Sequence, residues 1–399
     1  GDLDGDGKPE ILLGRTGTFA GASALLFKGS QLTAGAHLED EEAWSIVTTE
    51  EELTNLGSAS ALLGPIDESG EVRVAIGAAR VSGLSEDGDT LSEVGETYIF
   101  SASDLMAGGE LDVYEADVVI QGHHAFADCG KKLFPVGDFD GDGYTDLGIA
   151  SYRSGQDGIE LAEAGRAYLV SAATLAAGVD LQTDEADAWL RGDDTGVNAG
   201  FAMAGLGDLD GDGASEVAIS APRTFGTGVE HGSVYILSGL EIGDGGVSLE
   251  TAARLTIHGA ERQTLGESLS SSGDVDGDGL PDLLIGAPNA AGSDSSQGLS
   301  FLFTGAQLRE FMELETTEVP SSDAAGSFLG GAGREWSGNS VSIGPDSNGD
   351  RLDDLIIGAS KWNDEEGLGG EVGRAYLVSS RYEPEEEEPD EDESDEDEP

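Results

Sequence analysis

Positive charge is what this 399-residue chain has least of: 19 Lys and Arg stand against 80 Asp and Glu, a formal net charge of −61. A surface so anionic repels nucleic acid and anionic lipid, which disfavours both as partners, and it attracts cations. Cysteine is nearly absent. Cys129 stands alone, which excludes an internal disulfide framework and any Cys-rich zinc site, and reads as a buried small hydrophobe. No run of about 18 apolar residues occurs, so no segment reads as a membrane-spanning helix. The five histidines, His37, His123, His124, His231 and His258, show no metalloprotease spacing. Neither a Gly-x-Ser-x-Gly elbow nor a P-loop is present. His258 occupies a strand position held by Gln121 and Arg191 in other repeats, so a solvent-facing side chain is expected there. Helical periodicity is confined to short stretches such as Ala306 to Leu314, so helices are expected only as brief surface insertions.

What the chain has instead is a repeat. The segment Gly-Asp-φ-Asp-Gly-Asp-Gly recurs with its first carboxylate at Asp2, Asp138, Asp208, Asp274 and Asp346, and a degenerate copy starts at Pro65. The period is near 70 residues. A glycine stands eight residues before each internal copy, at Gly57, Gly130, Gly200, Gly266 and Gly338. Each loop is followed directly by a short apolar run closing on a small residue, as in Val74-Ala-Ile-Gly77 and Leu283-Leu-Ile-Gly286. A second run carries an aromatic at its centre: Tyr98, Tyr168, Tyr235, Phe301 or Tyr376. A third ends φ-x-Gly, at Gly122, Gly192 and Gly259. Continuous apolar runs bounded by Gly and Pro read as strands buried on both faces, and four such strands per unit indicate an all-β fold, a β-propeller of four-stranded blades.

Strand, glycine, acidic loop, φ-φ-Gly-Ala-Pro (Ala221-Pro222, Ala287-Pro288), then Gly-x-φ-Tyr-φ-φ resembles the FG-GAP repeat of integrin α-subunit propellers and their bacterial relatives. The name-giving Phe is weakly kept, with Leu56, Cys129, Ala199, Leu265 and Ser337 in its place. The resemblance covers Gly1 to Arg381 and implies a seven-bladed ring. Six repeats are visible and the first lacks the strand that precedes its loop, so the chain reads as an N-terminally truncated fragment. The propeller is assigned to residues 1–382. The remainder, 383–399, holds 13 acidic residues and reads as a disordered tail or linker.

The loops dictate the chemistry. Asp-x-Asp-x-Asp-Gly-x-x-Asp/Glu places carboxylates at positions 1, 3, 5 and 9, while glycines at 4 and 6 let the backbone turn. The carbonyl of position 7 completes an all-oxygen cage suited to Ca²⁺, and the lack of His or Cys argues against zinc or copper. An EF-hand is excluded, since position 12 is Leu13, Ile149, Ile219, Ile285 or Ile357 instead of Glu. Four to five Ca²⁺ sites are expected. The first is Asp2, Asp4, Asp6, Lys8 (carbonyl) and Glu10, and the second Asp138, Asp140, Asp142, Tyr144 (carbonyl) and Asp146. The third is Asp208, Asp210, Asp212, Ala214 (carbonyl) and Glu216, and the fourth Asp274, Asp276, Asp278, Leu280 (carbonyl) and Asp282. A fifth comprises Asp346, Asn348, Asp350, Leu352 (carbonyl) and Asp354, weakened by Asn348 at position 3 and by Arg351 where glycine is usual. The Pro65 copy lacks carboxylates at 1, 5 and 9 and carries Arg73 last, so no metal is expected there.

At about 1 mM free Ca²⁺ and a Kd of about 0.1 mM, each ion adds roughly 1.4 kcal/mol. Cytosolic calcium would leave such sites empty, so an extracellular, secreted or cell-surface location is expected. No catalytic constellation stands out, and the chain reads as an adhesion or ligand-binding scaffold for a protein or glycan. The alternative is a non-catalytic propeller appended to a hydrolase-type enzyme. Among the tryptophans, Trp44 and Trp189 read as core packing in equivalent strands, and Trp362 as a candidate recognition residue in a long connection. Arg191-Gly192-Asp193 spells an adhesion tripeptide, but its glycine is one that the repeat requires.

Overall fold

The computed structural model describes residues 2–16, 22–32, 38–49, 54–84, 90–153, 164–224, 230–243, 245–290, 296–331, 334–361 and 373–379. Trp362 and the acidic stretch 383–399 lie outside them. Six sheets of three to five strands follow one another along the chain, here numbered as blades I to VI. Blade I comprises Ile11–Arg15, Ser23–Phe27 and Ser45–Thr48. Blade II comprises Leu56–Pro65, Val72–Ala78, Glu96–Ser101 and Val118–Gln121. Blade III comprises Leu133–Pro135, Leu147–Ser151, Arg166–Val170 and Ala188–Arg191. Blade IV comprises Met203–Gly205, Glu216–Ala221, Ser233–Ser238 and Leu255–His258. Blade V comprises Ser268–Ser270, Leu283–Ala287, Leu299–Phe303 and Gly326–Leu329. Blade VI has Ser337–Gly344, Asp354–Ala359 and Arg374–Val378. Neighbouring strands within each of these sets are antiparallel, as in Leu147–Ser151 against Arg166–Val170. Each acidic loop from blade II onward joins a blade's first strand to its second.

A fifth strand, absent from the sequence reading, ties successive blades together. After its third strand each of blades II to V sends a short segment back to the preceding blade, pairing in parallel with that blade's outer strand. Gly109–Asp112 pairs with Ser45–Thr48, and Leu181–Gln182 with Val118–Gln121. Val247–Ser248 pairs with Ala188–Arg191, and Glu318–Pro320 with Leu255–His258.

The hydrophobic core lies in the seams between blades, because the middle strands of blades III to V are covered on both faces. In Arg166–Val170, Tyr168 and Val170 pack toward blade II with Ile99, Val118 and Ile120. Ala167 and Leu169 pack toward blade IV with Val217, Ile219 and Leu237. The period of two thus serves two cores at once, which is why the strands read as unbroken apolar runs instead of alternating ones. Cys129 is fully buried in the seam of blades II and III. The repeat glycines exist for close approach: a Cβ on Gly77 would stand 1.7 Å from the carbonyl oxygen of Gly130, whose φ is +79°.

Three expectations need correction. The helix Gly305–Glu313 is no mere surface insertion, because Leu308 and Met312 are buried in the seam of blades IV and V. Trp44 is not core: it is 41% exposed, precedes the strand instead of lying in it, and donates its indole N–H to Met106 O at 2.9 Å, while Lys28 sits over its ring. Trp189, inside its strand, packs partly buried in the II–III seam. His258 does not point freely to solvent; it stacks edge-on against His231 with ring centroids 5.7 Å apart, and burial holds its pKa below the usual value.

Candidate metal centre

Each loop is first organised by its own carboxylates. The position-1 side chain reaches forward to the N–H groups at positions 4 and 6. Asp274 accepts from Gly277 at 2.6 Å and Gly279 at 2.8 Å, and Asp208 from Gly211 at 2.7 Å and Gly213 at 3.0 Å. Position 5 accepts the N–H of position 7: Asp6 from Lys8, Asp142 from Tyr144, Asp212 from Ala214, Asp278 from Leu280 and Asp350 from Leu352. The glycines at 4 and 6 have positive φ, as in Gly141 at +78° and Gly143 at +91°. The chain therefore curls around a ring of acidic oxygens.

Three carboxylates converge in four of the loops, each offering an oxygen within 4.8 Å of the others: Asp2, Asp4 and Asp6; Asp138, Asp140 and Asp146; Asp208, Asp210 and Glu216; Asp274, Asp276 and Asp282. In blades III to V these are positions 1, 3 and 9. In blade I they are positions 1, 3 and 5, and Glu10 is not among them. It accepts instead from Leu3 N at 2.6 Å and Gly29 N at 3.2 Å. Position 9 is a strut in the other blades as well. Asp146 accepts from Phe139 N and Ala172 N, both at 2.7 Å, and Asp282 from Val275 N at 2.7 Å and Gly305 N at 2.8 Å. It thereby links the loop to the start of the helix after the third strand. That double role was not foreseen from the sequence.

These struts are carboxyl groups kept out of water. Asp146, Glu216 and Asp282 are all 0% exposed. Burial pushes Asp146 and Glu216 up to about 7 and Asp282 up to about 6, against the pull of backbone N–H groups and with the push of neighbouring loop carboxylates. Burial raises Asp140 and Asp276 too. Two oxygens are left over: Asp138 Oδ1 and Glu216 Oε1 are buried without a hydrogen-bond partner. A buried carboxylate oxygen without a partner bears its desolvation penalty with nothing to offset it. A hard dication ligated by oxygen relieves both defects at once, so the residues present fit Ca²⁺.

The other two loops differ. In blade VI the Asn348 side-chain amide donates to Asp350 at 3.0 Å and to Asp354 at 3.3 Å, inside the acidic ring itself. Arg351 takes the left-handed conformation at φ +75° that glycine holds elsewhere. In the Pro65 copy, Asp67 caps Ser69 N at 2.8 Å, and Arg73 faces Asp117 at 3.8 Å. Two cations from distant positions also enter the rings, and no local pattern announces them. Arg254 meets Asp210 at 2.5 Å, and Lys28 approaches Asp4 at 3.7 Å.

Residues 265–303 match the FG-GAP repeat family model, a stretch running from the start of blade V through the Asp274 loop into its third strand. Integrin alpha-PS5 of Drosophila melanogaster is 33% identical over 173 residues, 42% of this chain and 16% of that one. Integrin alpha-V of Gallus gallus is 35% identical over 153 residues, 38% of this chain and 14% of that one. Integrin alpha-5 of Xenopus laevis is 41% identical over 91 residues, 22% and 8% of the two chains. The matched stretches thus span at most 16% of the length of these relatives. Among solved structures, exotype rhamnogalacturonan lyase YesX aligns over 95% of this chain and 55% of its own at 13% identity, with a TM-score of 0.40. That likeness is too slight to carry an argument. The repeat match and the integrin relatives support an integrin-like FG-GAP repeat protein, and the successive four- and five-stranded sheets are those of a β-propeller fold.

Proposed function

We propose that this chain is a calcium-binding β-propeller, residues 1–382, serving outside the cell as a non-catalytic adhesion or ligand-binding scaffold, with the ions bracing its blades. The observation that carries the reading is the pair of orphaned buried oxygens, Asp138 Oδ1 and Glu216 Oε1, each in a loop where other carboxylates converge. Sites of millimolar-range tuning fill only at extracellular calcium, which supports the location. Among the described residues, no helix is long and apolar enough to cross a membrane. The sheets supply rigidity, and the long connections between strands supply a variable surface for a protein or glycan partner. The acidic stretch 383–399 serves as a spacer.

Calorimetric titration of the full chain with CaCl₂, beside thermal melts in calcium and in chelator, tests the reading. Binding at the four acidic clusters and a melting temperature several degrees lower in chelator are expected. Absence of binding heat together with coincident melts overturns it.

A further inference from the structure

Position 8 of each loop lies between the carbonyl proposed as a ligand and the position-9 carboxylate, and at two seams it reaches back to the loop before it. Ser215 N donates to Asp138 O at 2.6 Å, and Asp138 N returns a bond to Ser215 Oγ at 3.1 Å. Asp353 N donates to Asp274 O at 3.0 Å, and Asp274 N returns to Asp353 Oδ2 at 2.9 Å. The backbone of a first ligand is thus clamped by the next blade's loop. The seam between blades IV and V has Pro281 at this place, against Gly207. Proline has neither an N–H nor a side-chain acceptor, so neither bond can form there. The two loops also lie close together: a Cβ added to Gly141 would stand 3.3 Å from Gly213 O.

We infer that the loops of blades III and IV bind their cations as a coupled pair through Ser215, while those of blades IV and V bind independently because Pro281 breaks the link. This rests on the calcium reading above. A cation in blade IV fixes Ala214 and Glu216 on either side of Ser215. Ser215 then holds Asp138 in the conformation that blade III needs, and by reciprocity blade III helps blade IV. The second clamp acts differently. Blade VI is braced internally by Asn348, so Asp353 gives the blade V loop an anchor that needs no cation.

Amide hydrogen exchange of the full chain, followed across a CaCl₂ titration, reads each loop by its own protection midpoint. Silencing blade III with Asp140→Asn shifts the midpoint of segment 208–216 to at least about fivefold higher calcium. Silencing blade V with Asp276→Asn leaves that midpoint within twofold. In Ser215→Ala, adding Asp140→Asn moves it no further, and Ser215→Thr, which keeps the hydroxyl, restores the shift. A blade IV midpoint indifferent to Asp140→Asn, or moved equally by Asp276→Asn, overturns the coupling while calcium binding stands. Absence of calcium protection in every loop overturns both.

Discussion

In the loop of blade VI the Asn348 amide bridges Asp350 and Asp354, at 3.0 and 3.3 Å, at the position where the loops of blades I, III, IV and V carry an aspartate. An amide N–H carries part of the positive charge that a dication would supply, so this loop holds its shape by itself. Restoring the acid at position 3 removes that brace. Asn348→Asp is expected to add one calcium site to the stoichiometry and to lower the melting temperature in chelator by a few degrees. Equilibrium dialysis and paired melts check both halves.

Asp146 holds two backbone N–H groups, Phe139 and Ala172, at 2.7 Å in a fully buried place. Asp146→Ala strands both donors. A loss of about 2–5 kcal/mol follows from the usual cost of an unsatisfied buried group. Urea unfolding in chelator isolates this structural part from any metal effect. A loss confined to calcium-containing buffer would contradict the strut.

The pH response has a definite sign. Asp146 and Glu216 are raised to about 7 and Asp282 to about 6, above the ordinary carboxyl range. Their protonated forms favour the folded state, so that contribution is complete below about pH 4 and disappears as pH rises through 6 to 7. Melts in chelator are therefore expected to be higher at pH 5 than at pH 8, and Glu216→Gln should flatten the slope. With calcium present the order reverses, because protons compete with the ion.

Gly77 faces Gly130 across the seam of blades II and III, and a methyl group there would meet the Gly130 carbonyl at 1.7 Å. Gly77→Ala is expected to cost more than about 3 kcal/mol or to abolish folding. Gly178, at φ +63° with open space around it, serves as the control. Its alanine variant should lose no more than about 1–2 kcal/mol, from backbone strain alone.

The sequence reading reached as far as local patterns extend. The acidic loops, the strand order and the aromatic third strands all follow from residues a few positions apart, but of each of the first four expected ligand sets only three carboxylates converge: Glu10, Asp142, Asp212 and Asp278 stand outside the clusters. The ties between blades were illegible. Leu181–Gln182 and Val247–Ser248 are two residues long, too short to show any period. Arg254 sits 44 residues from the Asp210 it neutralises, and Ser215 is 77 residues from Asp138. Trp44 and Trp189 are not equivalent, because strand register sets Ile46 opposite Leu25 as Trp189 is set opposite Tyr168.

The backward-reaching strands mean that repeats in the gene and blades in the fold are cut at different places. A break after Gly122 falls between blades by sequence, yet it separates Val118–Gln121 from the Leu181–Gln182 strand that completes its sheet. Each unit therefore overlaps its neighbour as roof tiles do. A blade gained or lost by duplication must carry its neighbour's edge with it, and a pull on either end of the array is shared between two sheets before either one opens.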